Sequence, residues 1–394
     1  MSHRLPFHLR RRTVLRGLLS AGAFGLTSQF WTACSSGTPD SLTDAEATNA
    51  DIKPITVGFI YVGSKGDFGY NQAHAQAAAA MATQFPNLKI VEEASIPETT
   101  AVQETMRSMI EQDGATIIFP TSWGYFDPHS LKLAAEFPDV QFFHPNHPLD
   151  DDHPPNVGSY FSSLVEPAYL AGMVAAKATQ TGKLGLVVPK SIPVVLQEMN
   201  SFVLGARSIN PDITADAIVT GDWALPIKEA EATNSLVDQG ADVIITRVDS
   251  PKVVINTAKD RGVYCCGYHV NQADLAPDNF LTGVEWSWQK AYTTYAEMTK
   301  AGKTLMNGGI PKVLAGGLKE EFSNISPYGV KVSADAKSTV DSATGKLASG
   351  ELVIFASGLK DNKGNVVVPQ GDAFKLGDPR LNTIDWFVEG IQSS

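Results

Sequence analysis

Two short segments carry aromatic rings beside neutral polar groups: Asp67-Phe68-Gly69-Tyr70-Asn71-Gln72 and Ser122-Trp123-Gly124-Tyr125-Phe126. Four more follow: Gly221-Asp222-Trp223, Asp249-Ser250, His269 and Glu285-Trp286-Ser287-Trp288. Four of the six tryptophans lie in these segments, with Trp31 and Trp386 outside them. Opposed aromatic faces with a few fixed donors and acceptors suit the holding of a flat, weakly charged ring. Any one tryptophan of this kind reads as local packing. Their joint placement across two lobes is what points to a binding site.

Bond-breaking chemistry is poorly represented. Gly63-Ser64-Lys65-Gly66 lacks the Gly-Lys-Ser/Thr ending of a phosphate loop, and G-x-G-x-x-G and G-x-S-x-G are missing. His144, His147 and His153 are separated by Pro145 and Pro148, so they read as a stiff surface loop rather than a metal set. His74 reads as a partly buried structural histidine. Asp67 suits a helix cap and a ligand contact equally. Asp249, before Ser-Pro, reads as a cap or as an acceptor for ring N–H groups. Asp127 before Pro128 reads as an N-cap with proline at the first helical position. No metal, cofactor or enzyme activity is expected.

The elements around these residues follow a strand and helix alternation. Strands are predicted at 56–62, 88–94, 116–120 and 140–144, with helices at 71–84, 99–113 and 127–136. A second series has helices at 166–180, 194–209, 227–239 and 251–261, and strands at 183–188, 215–220, 242–247, 263–269 and 279–284. This implies an α/β protein of two lobes, each a doubly wound, mostly parallel sheet with helices on both faces. Ligands bind such sheets beyond the carboxyl ends of the strands, where the aromatic segments fall. A helix at 289–301 and a mixed tail to 394 complete the chain. Lobe 1 takes 54–160 plus part of 289–330, and lobe 2 takes 161–288 plus part of 331–394. Cys265 and Cys266 read as small buried strand residues, with a strained vicinal disulfide as the alternative.

The first residues carry a different message. Arg11-Arg12-Thr13-Val14-Leu15-Arg16 opens a basic region, followed by a short, diluted apolar stretch and Thr32-Ala33-Cys34. Residues 1–33 therefore read as a twin-arginine lipoprotein signal. Cys34 is expected to be acylated, although Trp31 stands where an aliphatic residue is usual. Residues 34–53 read as a flexible tether. Without the five arginines of residues 1–33, 26 basic residues face 42 acidic ones, a net charge of −16. So acidic a body argues against a nucleic-acid partner.

Several motifs together resemble the basic membrane protein (Bmp/Med) family of ABC-transporter substrate-binding lipoproteins. They are Asp67-x-Gly69-Tyr70-Asn71-Gln72, Tyr169-Leu170-Ala171-Gly172, Asn200-Ser201-Phe202-x-x-Gly205-Ala206, Gly240-Ala241-Asp242-Val243-Ile244, Gly221-Asp222-Trp223 and Asp385-Trp386-Phe387. The resemblance covers roughly 55–390. It implies a type I periplasmic-binding fold and a purine nucleobase or nucleoside ligand, with Tyr70, Asn71 and a lobe-2 aromatic around the base and an aspartate near its edge. The tryptophan-rich turns and Asp249-Ser250-Pro251 resemble the subgroup taking free bases such as adenine. Phe68, Tyr70, Asn71, Trp123, Asn200, Trp223, Asp249 and Trp286 are the expected ligand contacts, with Asp67, Ser122 and His269 as further candidates. A lipid-anchored, monomeric receptor feeding an ABC permease follows. The alternatives are a sensor for a membrane signalling partner and a receptor for another flat heterocycle or amide.

Overall fold

The computed structural model describes residues 55–393. The signal, Cys34 and the tether lie outside the described residues. Lobe 1 opens with β1 (Thr56–Ile60), α1 (Tyr70–Gln84), β2 (Lys89–Glu93), α2 (Thr100–Glu111), β3 (Ala115–Pro120), α3 (Leu131–Glu136), β4 (Gln141–Pro145) and β5 (Val157–Ser162). Lobe 2 continues with α4 (Val165–Ala178), β6 (Lys183–Val188), α5 (Pro193–Ile209), β7 (Thr214–Val219), α6 (Pro226–Asp238), β8 (Val243–Thr246), α7 (Lys252–Asp260), β9 (Tyr264–His269) and β10 (Phe280–Trp286). The chain ends with α8 (Trp288–Lys300), β11 (Val313–Gly316), β12 (Ser323–Ile325), α9 (Ala334–Ser349) and β13 (Ile391–Ser393).

The first sheet has the order β11-β5-β4-β3-β1-β2 and is parallel throughout. The second runs β12-β10-β9-β8-β6-β7-β13, parallel except where β12 lies against β10. Their inner strands read as unbroken apolar runs because helices cover both faces. β8, for instance, is Val-Ile-Ile-Thr and fully buried. Cys265 and Cys266 are free and buried on β9, and burial pushes the Cys265 thiol up to about 12.

Three connections cross between the sheets, after β5, after β10 and between β11 and β12. They are bonded to one another. The Phe322 carbonyl accepts from Ser162 Oγ at 2.6 Å and from the Ser287 N–H at 2.9 Å, and Ser323 Oγ donates to the Ser163 carbonyl at 2.7 Å. After the second crossing α8 packs on α1, while α4 packs on α5.

The α4–α5 contact explains two of the sequence motifs. A Cβ on Gly172 would lie 1.8 Å from the Phe202 carbonyl oxygen, and one on Gly205 would lie 1.9 Å from that of Tyr169. Only glycine at both positions lets these backbones touch. The motifs at 169–172 and 200–206 thus describe a helix crossing.

One local expectation fails. Asp127 is not an N-cap: the Asp127–Pro128 peptide is cis, Asp127 is extended, and α3 begins only at Leu131. Residues 126–130 form a wide turn instead, with Ser130 Oγ donating to the Tyr125 carbonyl at 2.7 Å. His144 also departs from a surface loop, being buried on β4.

Candidate ligand-binding cleft

The turn after β1 is built by one carboxylate. Asp67 Oδ1 accepts from the N–H groups of Gly69 (2.8 Å) and Gln72 (3.0 Å). Its Oδ2 accepts from the Asn71 N–H (3.0 Å) and Asn71 Nδ2 (2.8 Å). These bonds satisfy donors that the start of α1 would otherwise leave open, and a negative charge is favoured there. Asn71 Oδ1 accepts from the Gly63 N–H at 3.0 Å, which closes the loop on itself. Both ends of the Asn71 amide are therefore bonded within the turn.

That framework presents Phe68 and Tyr70 to lobe 2. The Tyr70 N–H donates to the Asp249 carbonyl at 2.9 Å, Ser250 Oγ to the Asp67 carbonyl at 3.2 Å, and Gln272 Nε2 to the Phe68 carbonyl at 2.7 Å. Gly69 permits this approach, because a Cβ there would meet the Asp249 carbonyl oxygen at 2.0 Å. The Lys252 ammonium lies 5.2 Å from the Phe68 ring centre. Tyr70 donates its hydroxyl to the Thr121 carbonyl at 2.5 Å, and burial pushes that hydroxyl well above its ordinary range.

The turn after β3 is likewise satisfied from within. Ser122 Oγ bonds the Glu98 carboxylate, which also accepts from the Gly124 N–H at 2.9 Å. His144 Nε2 donates to the Ser122 carbonyl at 2.7 Å. Trp123 lies over His147, ring centres 4.4 Å apart, and is 57% exposed.

Lobe 2 holds a charged cluster that the sequence reading did not single out. Arg247, just past β8, places Nε 3.1 Å from Glu198 Oε2, and Tyr268 donates its hydroxyl to the same oxygen at 2.5 Å. Arg247 and Glu198 are both buried. The guanidinium carbon lies 5.1 Å from the Tyr268 ring centre and 5.3 Å from that of Trp223. Lys190 approaches Trp223 as well, at 5.4 Å, so that ring already has two cations near it. The available signals were an arginine closing an all-apolar strand and a glutamate inside an apolar helix face.

Asp249 sits beside this cluster. Burial pushes its carboxyl up to about 7; Arg247 opposes that, while Asp67, Glu229 and Glu98 add to it. Its backbone N–H donates to the Trp223 carbonyl at 2.8 Å. Its Oδ1 lies 3.9 Å from His269 Nε2, too far for a hydrogen bond. Trp286 donates its indole N–H to His269 Nδ1 at 2.6 Å. From there the rings of Trp286, Trp288 and His74 stack in turn, at 4.6 and 5.2 Å, and His74 Nδ1 meets the Tyr292 hydroxyl at 2.6 Å. His74 is fully buried, and burial lowers its pKa to about 3.

The structure thus groups Asp67, Phe68, Tyr70, Asn71, Trp223, Asp249, His269 and Trp286 around one interlobe contact. Ser122 and Trp123 flank it through the Thr121 carbonyl that Tyr70 binds. Asn200 stands apart: its Nδ2 donates to the Trp386 carbonyl at 3.0 Å and its Oδ1 accepts from the Val388 N–H at 2.9 Å. Its polar atoms fasten the C-terminal segment, as a buried amide on a glycine-packed helix can. Around this contact, hydrogen-bonding capacity remains unspent at His269 Nε2, the Asp249 carboxyl and the terminal nitrogens of Arg247; among the described residues His74 Nε2, Trp288 Nε1 and Glu229 Oε2 are also buried without a partner. No group of three or more His, Cys, Asp or Glu side chains there is placed to hold a metal, and no helix is long and apolar enough to cross a membrane.

Known proteins resemble this chain in sequence and in fold. A purine-binding protein of Brucella abortus is 32% identical over 347 residues, covering 88% of this chain and 95% of its own. A putative ABC transporter glucose-binding protein of Haloferax volcanii is 28% identical, covering 92% of this chain and 88% of its own. The solved structure of an ABC transporter solute-binding protein from Conexibacter woesei superposes with a TM-score of 0.63 at 23% identity, covering 76% of this chain and 97% of that one. This last likeness establishes the two-lobed periplasmic-binding fold. The family model for PnrA-like ABC transporter substrate-binding proteins matches residues 55–355. The chain therefore belongs to the Bmp family of ABC transporter substrate-binding proteins, extracytoplasmic receptors that serve a membrane permease.

Proposed function

We propose that this receptor captures a purine base in the interlobe cleft and delivers it to an ABC permease. The observation that carries the reading is the convergence of Tyr70, Trp223, Trp286 and His269 on one contact where hydrogen-bonding groups remain unspent. Aromatic faces hold a flat ring, and a few unspent polar groups read its edge. The purine-binding name of the Brucella relative, at 32% identity over 88% of this chain, supports the ligand class. Phe68, Asp249 and Trp123 complete the expected contacts, with Asn71 and Asp67 holding the first turn in shape. The ligand gains by contacting both lobes at once, so binding favours the closed arrangement.

Acylation at Cys34 would hold the receptor beside its permease. Replacing Cys34 by alanine should then move the protein from the membrane to the soluble fraction without changing ligand affinity.

Thermal shift of the chain from residue 35 onward, against purine bases, purine nucleosides and glucose, tests the ligand class. A rise in Tm with a base is expected. A rise with glucose and with no purine would place the receptor in the sugar class of its Haloferax relative.

A further inference from the structure

We propose that His269 selects the ligand by donating its Nε2–H to a ring-nitrogen acceptor, next to an N–H that the Asp249 carboxyl receives. The assignment rests on the purine reading above and adds which group of the base is recognised.

The argument begins with a proton. An indole N–H can only donate, so the 2.6 Å bond from Trp286 obliges His269 Nδ1 to present its lone pair. The neutral imidazole must then carry its hydrogen on Nε2. A charged ring would point two N–H groups at one another, and burial holds the His269 pKa far below its ordinary value. Trp286 is the positioning residue here, since it sets the tautomer without needing to touch the ligand.

The Nε2–H has no partner. His269 is 1% exposed, and its Nε2 accepts and donates no hydrogen bond within the protein. The Val248 carbonyl lies near enough to favour a proton on the ring but forms no hydrogen bond to it. Asp249 Oδ1, at 3.9 Å, is also out of reach. A buried donor left unpaired is costly, so an acceptor from outside the protein is favoured at this position. The backbone points the same way. His269 has φ 75° at the end of β9, an uncommon conformation for a residue with a side chain, and such strain gathers at functional sites.

A donor and an acceptor 3.9 Å apart cannot satisfy each other, yet one ligand edge can satisfy both. The edge must offer an acceptor beside an N–H. Adenine has three such edges: N1 with the amino group, N7 with the amino group, and N3 with N9–H. An edge offering two acceptors would place a lone pair against the Asp249 carboxylate.

Calorimetric titration of the protein with adenine and with 1-deaza-, 3-deaza- and 7-deazaadenine tests the assignment. One of the three analogues should bind about 10- to 100-fold more weakly than adenine, because it leaves the Nε2–H unpaired. His269→Asn, whose amide nitrogen overlays Nδ1 instead of Nε2, should abolish that discrimination. His269→Gln, which keeps a donor at the outer position, should retain it. Trp286→Phe frees the tautomer and should reduce it, and the two-bond 1H–15N spectrum of the wild-type histidines should show His269 protonated on Nε2 alone. If adenine and all three analogues bind within about twofold of one another, or if His269→Asn keeps the discrimination, the assignment is wrong and the purine reading survives. If none of the four binds, the purine reading falls and the assignment falls with it.

Discussion

The two rims of the cleft are built on opposite plans. On lobe 1, Asp67, Asn71 and Ser122 bond their own turns and the carboxylate of Glu98, leaving rings as what the rim presents. On lobe 2, Arg247, Asp249 and His269 are held in place by Glu198, Trp223 and Trp286, yet each keeps capacity unused. The difference supports the proposal that position and recognition are divided between the lobes. A polar group that fixes a turn has no capacity left for a ligand, whereas one fixed by its neighbours can still read an edge.

Breaking the lobe-2 cluster should have the largest effect. Glu198→Ala strands Arg247 as a buried, unpaired charge and should cost about 3–5 kcal/mol of stability, read by urea denaturation. An effect below about 1 kcal/mol would mean that Arg247 finds another partner or water.

Asp67→Ala comes next. It removes four hydrogen bonds at the start of α1 and should lower stability by about 2–3 kcal/mol. If Asp67 positions the turn, Asp67→Asn, which keeps its acceptor oxygen, should recover part of the stability and of the affinity together. Recovery of stability with affinity still lost would make Asp67 a direct ligand contact and blur the division between the rims.

Asp249→Asn should separate stability from binding. Burial pushes its folded carboxyl up to about 7, above the ordinary carboxylate range, so the folded protein holds that proton more tightly than the unfolded chain does. The stability this contributes is present in acid and is lost as pH rises through about 7. Asp249→Asn, unable to ionise, should therefore melt higher than wild type at pH 8 and not at pH 4. Ligand affinity of the wild type should move oppositely, falling as pH drops below about 7, because the carboxylate accepts the ligand N–H more strongly than the protonated carboxyl does. The groups facing this carboxyl are Arg247, His269, Asp67, Glu229 and Glu98, and burial holds the His269 imidazole well below its ordinary pKa.

The smallest effect is expected at Trp123. With its ring 57% exposed and resting on His147, Trp123→Ala should weaken binding by no more than about threefold by calorimetry. A larger loss would show that the lobe-1 rim contributes a stacking face as well as a frame.

Much of the architecture was legible because a parallel sheet buried on both faces leaves a plain pattern. The runs at β6, β8 and β9 and the periodic helices α5 and α6 were placed within one or two residues of their ends. β5 was not: Val157-Gly158-Ser159-Tyr160-Phe161-Ser162 is diluted by glycine and serine and is a strand because β4 and β11 pair with it on either side. The short β11, β12 and β13 depend on partners 37 or more residues away and left no local periodicity. In the site, the tryptophan turns announced themselves by composition, while Arg247 and Glu198 did not, being 49 residues apart and meaningful only as a pair.

By itself, then, the sequence determined two α/β lobes, the turns that face each other, the aromatic character of the cleft and the family. These are local properties, written in burial pattern and residue type. The tertiary structure decided which polar groups are spent and which are free. It made Asp67 a frame, tied Asn200 to the C-terminal segment, drew Trp286 onto His269 and left the His269 Nε2–H without a partner. Hydrogen-bond valence is settled by distances between residues far apart in the chain, and no spacing along the sequence encodes them.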